Sequence, residues 1–333
     1  MIKFATVGAG WIVDMFLDAA KDVGPEFVHA AVYSFRQEEG EAFAKKHGVD
    51  RVYTDLDELG KSDIDAVYIA NPNALHYPTA KKLLSYGKHV LCEKTSVVTS
   101  EQLKELYRIA DEKGVIFLEA IKALYMPEAE IIKEAMKKLG QVHMAKFDFC
   151  RFSSKYPAFL KGERPNIFNP ALAAGGLMDM GIYSVYPAVY FFGEPTEVKA
   201  QVNFMSTGAD LAGTVLLGYP DTHVNICWSK GSTSHHDSII QGDKGVLHME
   251  TMEYFGNSYI EYTDGTKETV IEWTGAVKPM MYEARMLYEL AEDRNSHKAF
   301  YEEAGKRTEK VIRLMERIRE DAGITFAENC YQL

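Results

Sequence analysis

The sequence predicts an α/β fold, with a Rossmann dinucleotide-binding domain followed by an α/β domain on a large, mostly antiparallel open sheet. Three observations carry this. Over the first 120 residues, short apolar runs alternate with helical patterns, which implies right-handed crossovers and a parallel sheet. The first run ends in Gly8-Ala9-Gly10 just before a helical pattern. From Glu197 onward, strands recur between turn signals at Pro220-Asp221, Gly242 to Gly245 and Asp264-Gly265. The expected domains are residues 1–121 and 122–333, and 333 residues suit about two domains.

The elements follow in order. Ile2 to Val7 reads as the first strand, and Ile12, Met15, Phe16, Ala19 and Ala20 share one side of the helix after it. Phe27 to Val32 is a second strand, and "EEGEAFAKKHG" a helix stopped by Gly48. Ile64 to Ala70 is the third strand, Leu75 to Tyr86 a helix closed by Gly87, and His89 to Cys92 the fourth strand. Thr99 opens a helix with Gln102 at the capping-box spacing; it ends near Gly114, before a fifth strand at Val115 to Leu118. Pro127 opens a helix ending near Gly140, and Val142 to Phe152 is a long strand. A helix from about Gly176 puts Asp179 and Tyr183, four apart, on one face. Two helices, about 280–294 and 298–321, close the chain.

Composition narrows the partners. Apolar residues make up 47%, enough for real cores, and a formal net charge of −11 argues against a nucleic-acid binder. No run approaches the roughly 18 apolar residues that span a bilayer, and no secretory pattern opens the chain, so the expected compartment is the cytoplasm. Cys92, Cys150, Cys227 and Cys330 lack any C-x-x-C spacing, and His235 and His236 point to opposite faces if extended. No metal is expected. The sheet after residue 142 has few helices to cover it, which predicts self-association through that sheet.

Ligands of a parallel sheet bind beyond the carboxyl ends of its strands, and the polar clusters gather there. Gly8 and Gly10, with Trp11 and Ile12 opening the helix, suit a pyrophosphate. Ser34-Phe35-Arg36 follows strand two, Asn71-Pro72-Asn73 strand three with His76 behind it, Glu93-Lys94 strand four, and Glu119 strand five. Strand two ends without the carboxylate that usually binds the ribose diol of NAD, while Ser34 and Arg36 suit a 2′-phosphate. NADP(H) is therefore favoured and NAD(H) remains possible; Arg36 as a plain solvated residue is the alternative.

"TVGAGWI", "ANPNALHYPTAKKLLSYGKHVLCEK" and "GGLMDMGIYSVY" together resemble the glucose–fructose oxidoreductase/inositol dehydrogenase (Gfo/Idh/MocA) family. "LEAIKALYMP" and "NIFNPALAAGGLMDMGIY" look most like its dimeric dihydrodiol dehydrogenase and NADP-dependent sugar dehydrogenase branch. The resemblance implies hydride transfer between nicotinamide and a hydroxyl or carbonyl carbon of a sugar, polyol or similar small molecule. It assigns Lys94 from the E-K-P motif, and Asp179 and Tyr183 from G-x-x-x-D-x-G-x-Y, to catalysis. The resemblance makes Tyr183 the acid/base, and an ammonium such as Lys94 beside it would lower the phenol's pKa from its usual value near 10.

Three departures stand out. Thr95 replaces the proline of E-K-P, which leaves open whether the Lys94–Thr95 bond is cis. Lys122 and Leu124 replace the tryptophan and arginine of the dihydrodiol branch, which speaks against an aromatic dihydrodiol. Tyr183 stands where NAD-linked inositol dehydrogenases usually carry histidine. Lys122, Arg151 and Tyr183 are the candidate substrate contacts, with a rim salt bridge as the other reading of Arg151. The alternatives are an NAD-linked inositol-type dehydrogenase and a nucleotide-binding regulatory protein that has lost turnover.

Overall fold

A computed structural model describes residues 1–328 and Cys330; residues 329 and 331–333, the end of the predicted second domain, lie outside the described residues. The chain forms two compact units, divided first at Ile121/Lys122. The first unit also takes Val277–Glu309, and the second comprises Lys122–Ala276 and the described residues from Lys310 on.

The first unit holds strands β1 (Ile2–Val7), β2 (Phe27–Tyr33), β3 (Val52–Tyr53), β4 (Ala66–Ile69), β5 (His89–Glu93) and β6 (Phe117–Ala120). Helices α1 (Trp11–Ala20), α2 (Gln37–His47), α3 (Leu56–Lys61), α4 (Asn73–Ser85) and α5 (Ser100–Lys113) alternate with them. Every strand pair is parallel, in the order β3-β2-β1-β4-β5-β6, so the topological switch falls between β1 and β4. Aromatic stacking fixes the core: Phe16 of α1 lies 3.7 Å from Tyr68, and Phe4 4.2 Å from Phe27, centroid to centroid. The Thr99–Gln102 capping box forms as expected. The last strand begins two residues later than predicted, because the Val115 N–H returns to Ala110 O to finish α5. The short β3 and α3 carry too few residues for a periodic signal, and the sequence reading missed them.

The second unit is built on eight strands. They are β7 (Val142–Cys150), β8 (Glu197–Phe204), β9 (Asp210–Gly218), β10 (His223–Ser229), β11 (Ser238–Gly242), β12 (Gly245–Thr251), β13 (Phe255–Tyr262) and β14 (Lys267–Ile271). Their order is β14-β13-β12-β11-β7-β10-β9-β8, and only β7 and β10 pair in parallel. Helices α6 (Glu128–Met136), α7 (Tyr156–Leu160) and α8 (Ile182–Phe192) belong to this unit. Alternation along the strands buries Ala145, Phe147, Val224, Ile226, Val215, Ile240, Leu247 and Ile260 completely on one face. There Phe191 and Phe192 of α8 meet Phe147. On the opposite face, Leu216, Asn225, Lys146, Ile239, His248 and Tyr259 line up in one cross-strand row, and Leu216 is 45% exposed.

The closing helices are α9 (Met280–Glu292) and α10 (Lys298–Ala322). The sequence reading put α9 with everything after residue 121, but α9 packs on α1 within the first unit. Lys278 just before it donates to Asp18 O, and Tyr288 meets Phe27 edge to face. Such pairing depends on shape and leaves no mark in a linear pattern. No helix among the described residues is long and apolar enough to cross a membrane.

Three imidazoles in the first unit, His29, His76 and His89, are pushed by burial down to about 4. The unfolded chain binds their protons between pH 6.5 and 4 while the folded one does not, so stability is present above 6.5 and lost as pH falls. By linkage each ring removes about 2 kcal/mol between pH 7 and 5. Urea melts at the two pH values should show this loss. His89→Gln should flatten the slope at little cost at pH 7, because His89 Nδ1 has no partner. A wild-type stability independent of pH over this range would overturn the expectation.

Candidate active site

In the first unit, the candidate residues sit where β1, β4 and β5 end. Gly8 turns the chain at φ +109°, and a Cβ there would stand 2.9 Å from Ala70 O, so only glycine lets the two strand ends come this close. Gly10 is the N-cap of α1 and offers no capping side chain, so the first amides, those of Trp11 and Ile12, have no acceptor within the helix. A Cβ on Gly10 meets nothing within 4 Å. Across the switch point, Asn71 donates from Nδ2 to Thr79 Oγ1, but its Oδ1 is buried without a partner. Free helix-end amides, open space above them and an orphaned amide oxygen fit the pyrophosphate and nicotinamide of a dinucleotide.

At the end of β2, Ser34 is buried and its Oγ accepts the Arg36 N–H at 3.3 Å. Arg36 is exposed and paired with Glu39 at 2.8 Å, a surface ion pair worth little and easily exchanged for a phosphate. Trp11 and Phe35 are the most exposed aromatics of the unit, at 72% and 88%. Phe35 entered the sequence reading only as the residue between Ser34 and Arg36.

The segment around Lys94 is anchored from three sides. Tyr68 donates its hydroxyl to Glu93 Oε1 at 2.5 Å, and the Ser96 N–H donates to the buried Glu119 carboxylate at 2.6 Å. His76 is buried between two carbonyls, with Nδ1 2.9 Å from Thr95 O and Nε2 2.7 Å from Asn71 O. Burial holds the ring neutral at pH 7, so it donates to one carbonyl at a time. His76 thus ties the Asn71-Pro72-Asn73 turn to the segment after β5. The Lys94–Thr95 peptide is cis, which settles the alternative that Thr95 left open.

In the second unit, Tyr183 lies in the first turn of α8, half-buried. The residues before it, Leu177–Gly181, wind as a π-helix and not as the predicted α-helix. Asp210 sets this up, because its Oδ2 accepts both the Leu177 N–H at 2.6 Å and the Trp228 Nε1–H at 2.8 Å. Gly176 lets the turn lie against Trp228, where a Cβ would come within 2.8 Å of Cδ1. Asp179, inside the π-turn, pairs with Lys230, whose side chain is only 4% exposed. Lys230 follows β10 and is held by its own N–H to Leu211 O and by Ser153 N–H to its carbonyl.

The Tyr183 ring packs 4.9 Å from Phe149, and the Lys122 ammonium lies 5.9 Å from its centroid. Lys122 donates to Glu253 Oε1 at 2.5 Å, and Arg151 to Glu253 Oε2 at 3.0 Å. Burial pushes the Glu253 carboxyl up, but the Lys122 ammonium and Arg151 guanidinium outweigh it and hold the group below its usual range. The sequence reading offered Arg151 as a substrate contact or a rim ion pair, and in this structure it is ion-paired. Asp210 and Glu253 carry no such expectation, and Lys230 is expected only as part of the loop 229–237. Among the described residues, no group of three or more His, Cys, Asp or Glu is placed to hold a metal.

Comparison with known proteins agrees with both halves. Residues 2–120 match the model of an oxidoreductase family with an NAD-binding Rossmann fold, and residues 131–248 that of the GFO/IDH/MocA C-terminal domain. The chain is 38% identical to scyllo-inositol 2-dehydrogenase (NADP(+)) IolU of Bacillus subtilis, over 98% of both chains. It is 29% identical to mouse trans-1,2-dihydrobenzene-1,2-diol dehydrogenase, over 75% of both. Among solved structures it superposes on a 3-ketoreductase from Actinomadura kijaniata, in complex with NADP and TDP-benzene, with a TM-score of 0.85. There the identity is 20%, and 96% of this chain and 98% of that one are covered. The two halves and these matches make the chain a member of the Gfo/Idh/MocA family of NAD(P)-dependent oxidoreductases.

Proposed function

We propose that this protein transfers hydride between NADP(H) and a secondary hydroxyl or carbonyl carbon of a polyol or sugar. The observation that carries this reading is Tyr183, a half-buried phenol one helical turn beyond the Asp179–Lys230 ion pair and flanked by the Lys122–Glu253–Arg151 cluster. The scyllo-inositol dehydrogenase likeness supports the substrate class and the NADP preference. Lys122 in place of an aromatic residue speaks against a dihydrodiol substrate.

Bound NADP(H) supplies or accepts the hydride, and the remaining chemistry belongs to side chains. In the oxidative direction, Tyr183 Oη accepts the proton of the substrate hydroxyl; in reduction it returns that proton. Lys94 is the ammonium that favours the phenolate. Asp179, held by Lys230, orients the substrate hydroxyl toward Tyr183. On the cofactor side, amides of Trp11 and Ile12 hold the pyrophosphate, with Gly8 and Gly10 keeping side chains out of its way. Asn71, Pro72, Asn73 and His76 shape the nicotinamide end, with Glu93 and Lys94, and Ser34 and Arg36 take the 2′-phosphate. The open face of the large sheet, with its row from Leu216 to Tyr259, is read as a homodimer interface. Sedimentation at micromolar concentration should therefore give a dimer, and a monomer would refute that part.

Two further expectations test the reading. Gly10→Ala should fold normally, since its Cβ meets nothing within 4 Å, yet weaken NADP(H) binding at least tenfold. Arg36→Ala should erase the preference for NADP(H) over NAD(H) in a titration of both cofactors. Equal wild-type affinities would sink the 2′-phosphate assignment.

Lys94→Ala and Tyr183→Phe should each cut turnover by several orders of magnitude while leaving cofactor binding largely intact, and the losses should not add. Residual oxidation by Lys94→Ala should shift to more alkaline pH, where the phenol ionises unaided. Tyr183→Phe should show no such rescue. An active Tyr183→Phe enzyme with an unchanged alkaline limb would hand the proton to another group.

A further inference from the structure

Lys122, Arg151 and Glu253 come from three distant places in the second unit and meet at one carboxylate. Lys122 lies in the short 3-10 turn Lys122–Leu124, Arg151 directly follows β7, and Glu253 sits at the tip of the β12–β13 hairpin. The hairpin is shaped to deliver that carboxylate. A register shift between Met249 and Thr251 breaks the ladder just before the tip, as bulges do where a side chain is re-aimed. Phe255, fully buried, takes a φ of +65°, uncommon for an aromatic residue. The Glu253 N–H is then fixed by Thr251 Oγ1 at 3.2 Å.

The cluster flanks the phenol assigned to proton transfer. The Lys122 ammonium is 5.9 Å from the Tyr183 ring, and the Arg151 guanidinium 5.3 Å from the Phe149 ring that packs on Tyr183. Each cation is bonded to an oxygen of Glu253, so one carboxylate stands between the two positive charges and leaves the cluster with a single net positive charge. A site built for an anionic group would leave its cations without a protein carboxylate between them.

Hydrogen-bonding capacity remains. An ammonium has three donors, a guanidinium five and a carboxylate about four acceptor positions, and the contacts within the cluster use one donor of each cation and one acceptor position on each oxygen. Donors therefore stand on either side of an acceptor. Two adjacent hydroxyls fit that order, each donating to one Glu253 oxygen and accepting from the neighbouring cation.

We infer that Lys122, Glu253 and Arg151 form a vicinal-diol subsite beside Tyr183, and that Glu253 determines specificity for substrates hydroxylated next to the reacting carbon. The inference rests on the polyol reading of the active site and adds the residues that would recognise the substrate. It makes Glu253 a binding residue whose loss changes which substrates are used.

A ketone probe fixes the reacting carbon. NADPH-dependent reduction of a pentahydroxycyclohexanone is compared with that of 4-hydroxycyclohexanone, an analogue with no hydroxyl beside the carbonyl and no two adjacent hydroxyls. Wild type should prefer the full polyol by 100-fold or more in kcat/KM, since a site built to bond hydroxyls rejects an analogue without them. In Glu253→Ala that preference should fall below about threefold, through a raised KM for the full polyol and little change for the analogue. Glu253→Gln, which keeps one acceptor and the side-chain volume, should lie between, and NADP(H) affinity should be the same in all three proteins. An equal loss on both ketones, or a preference that survives in Glu253→Ala and Glu253→Gln, would overturn the subsite and leave the polyol reading standing. A wild-type enzyme that reduces neither ketone, and oxidises no member of a sugar and polyol panel, would overturn both.

Discussion

Where strands of a parallel sheet end, the backbone leaves the ladder before a helix takes over, and its N–H and C=O groups still need partners. An unpaired buried group costs about 1–3 kcal/mol, so a sheet edge that binds ligands has to be stitched by side chains. In the first unit, His76 reaches Asn71 O and Thr95 O, and Glu119 takes the Ser96 N–H. Tyr68 meanwhile holds Glu93. Lys94 is therefore flanked on both sides by anchored residues. Its backbone is fixed before any ligand arrives, which lowers the ordering entropy that binding would otherwise have to overcome.

The second unit meets a related constraint with carboxylates. Asp210 gathers an indole and a backbone N–H to start the π-turn, Lys230 holds Asp179, and Glu253 holds two cations. The Lys122–Glu253 and Asp179–Lys230 pairs are largely buried, and such pairs are costly to break one partner at a time, because the survivor is left as an uncompensated charge. They are stable as sets. A change of substrate that needs a new polar pattern beside Tyr183 must then replace a pair or a triad together.

This difference explains what the sequence made legible. Gly8, Asn71 and Glu93 each follow an apolar run directly, with Lys94 next to Glu93, and punctuation of that kind is local, so the parallel sheet and its ligand edge could be read from order alone. The same rule applied to "VNICWS" would have flagged Lys230, the charged residue straight after that strand. The loop 229–237 that contains it is expected from the sequence to shape specificity, without marking Lys230 itself. Glu253 gave no comparable signal. Its partner Lys122 is 131 positions away, and an acid in a hairpin tip looks like any solvated turn residue. The π-winding at Leu177–Gly181 was equally invisible, since it depends on Asp210, 33 positions from the N–H that it accepts. The place of α9 beside α1 was lost for the same reason.

The two kinds of site also differ in what substitution does to them. The dinucleotide edge draws largely on main-chain amides and on the absence of side chains at Gly8 and Gly10, so most neighbouring residues can change without altering its donors. Around Tyr183, the Asp179–Lys230 pair and the Lys122–Glu253–Arg151 cluster are ion pairs between side chains, and replacing one residue removes a bond and leaves a charge less compensated. Selection on substrate therefore acts on a few coupled positions, while cofactor binding stays with the backbone. A single scaffold can thus keep one hydride carrier and exchange substrates, provided the ion-paired residues beside the phenol change as a group.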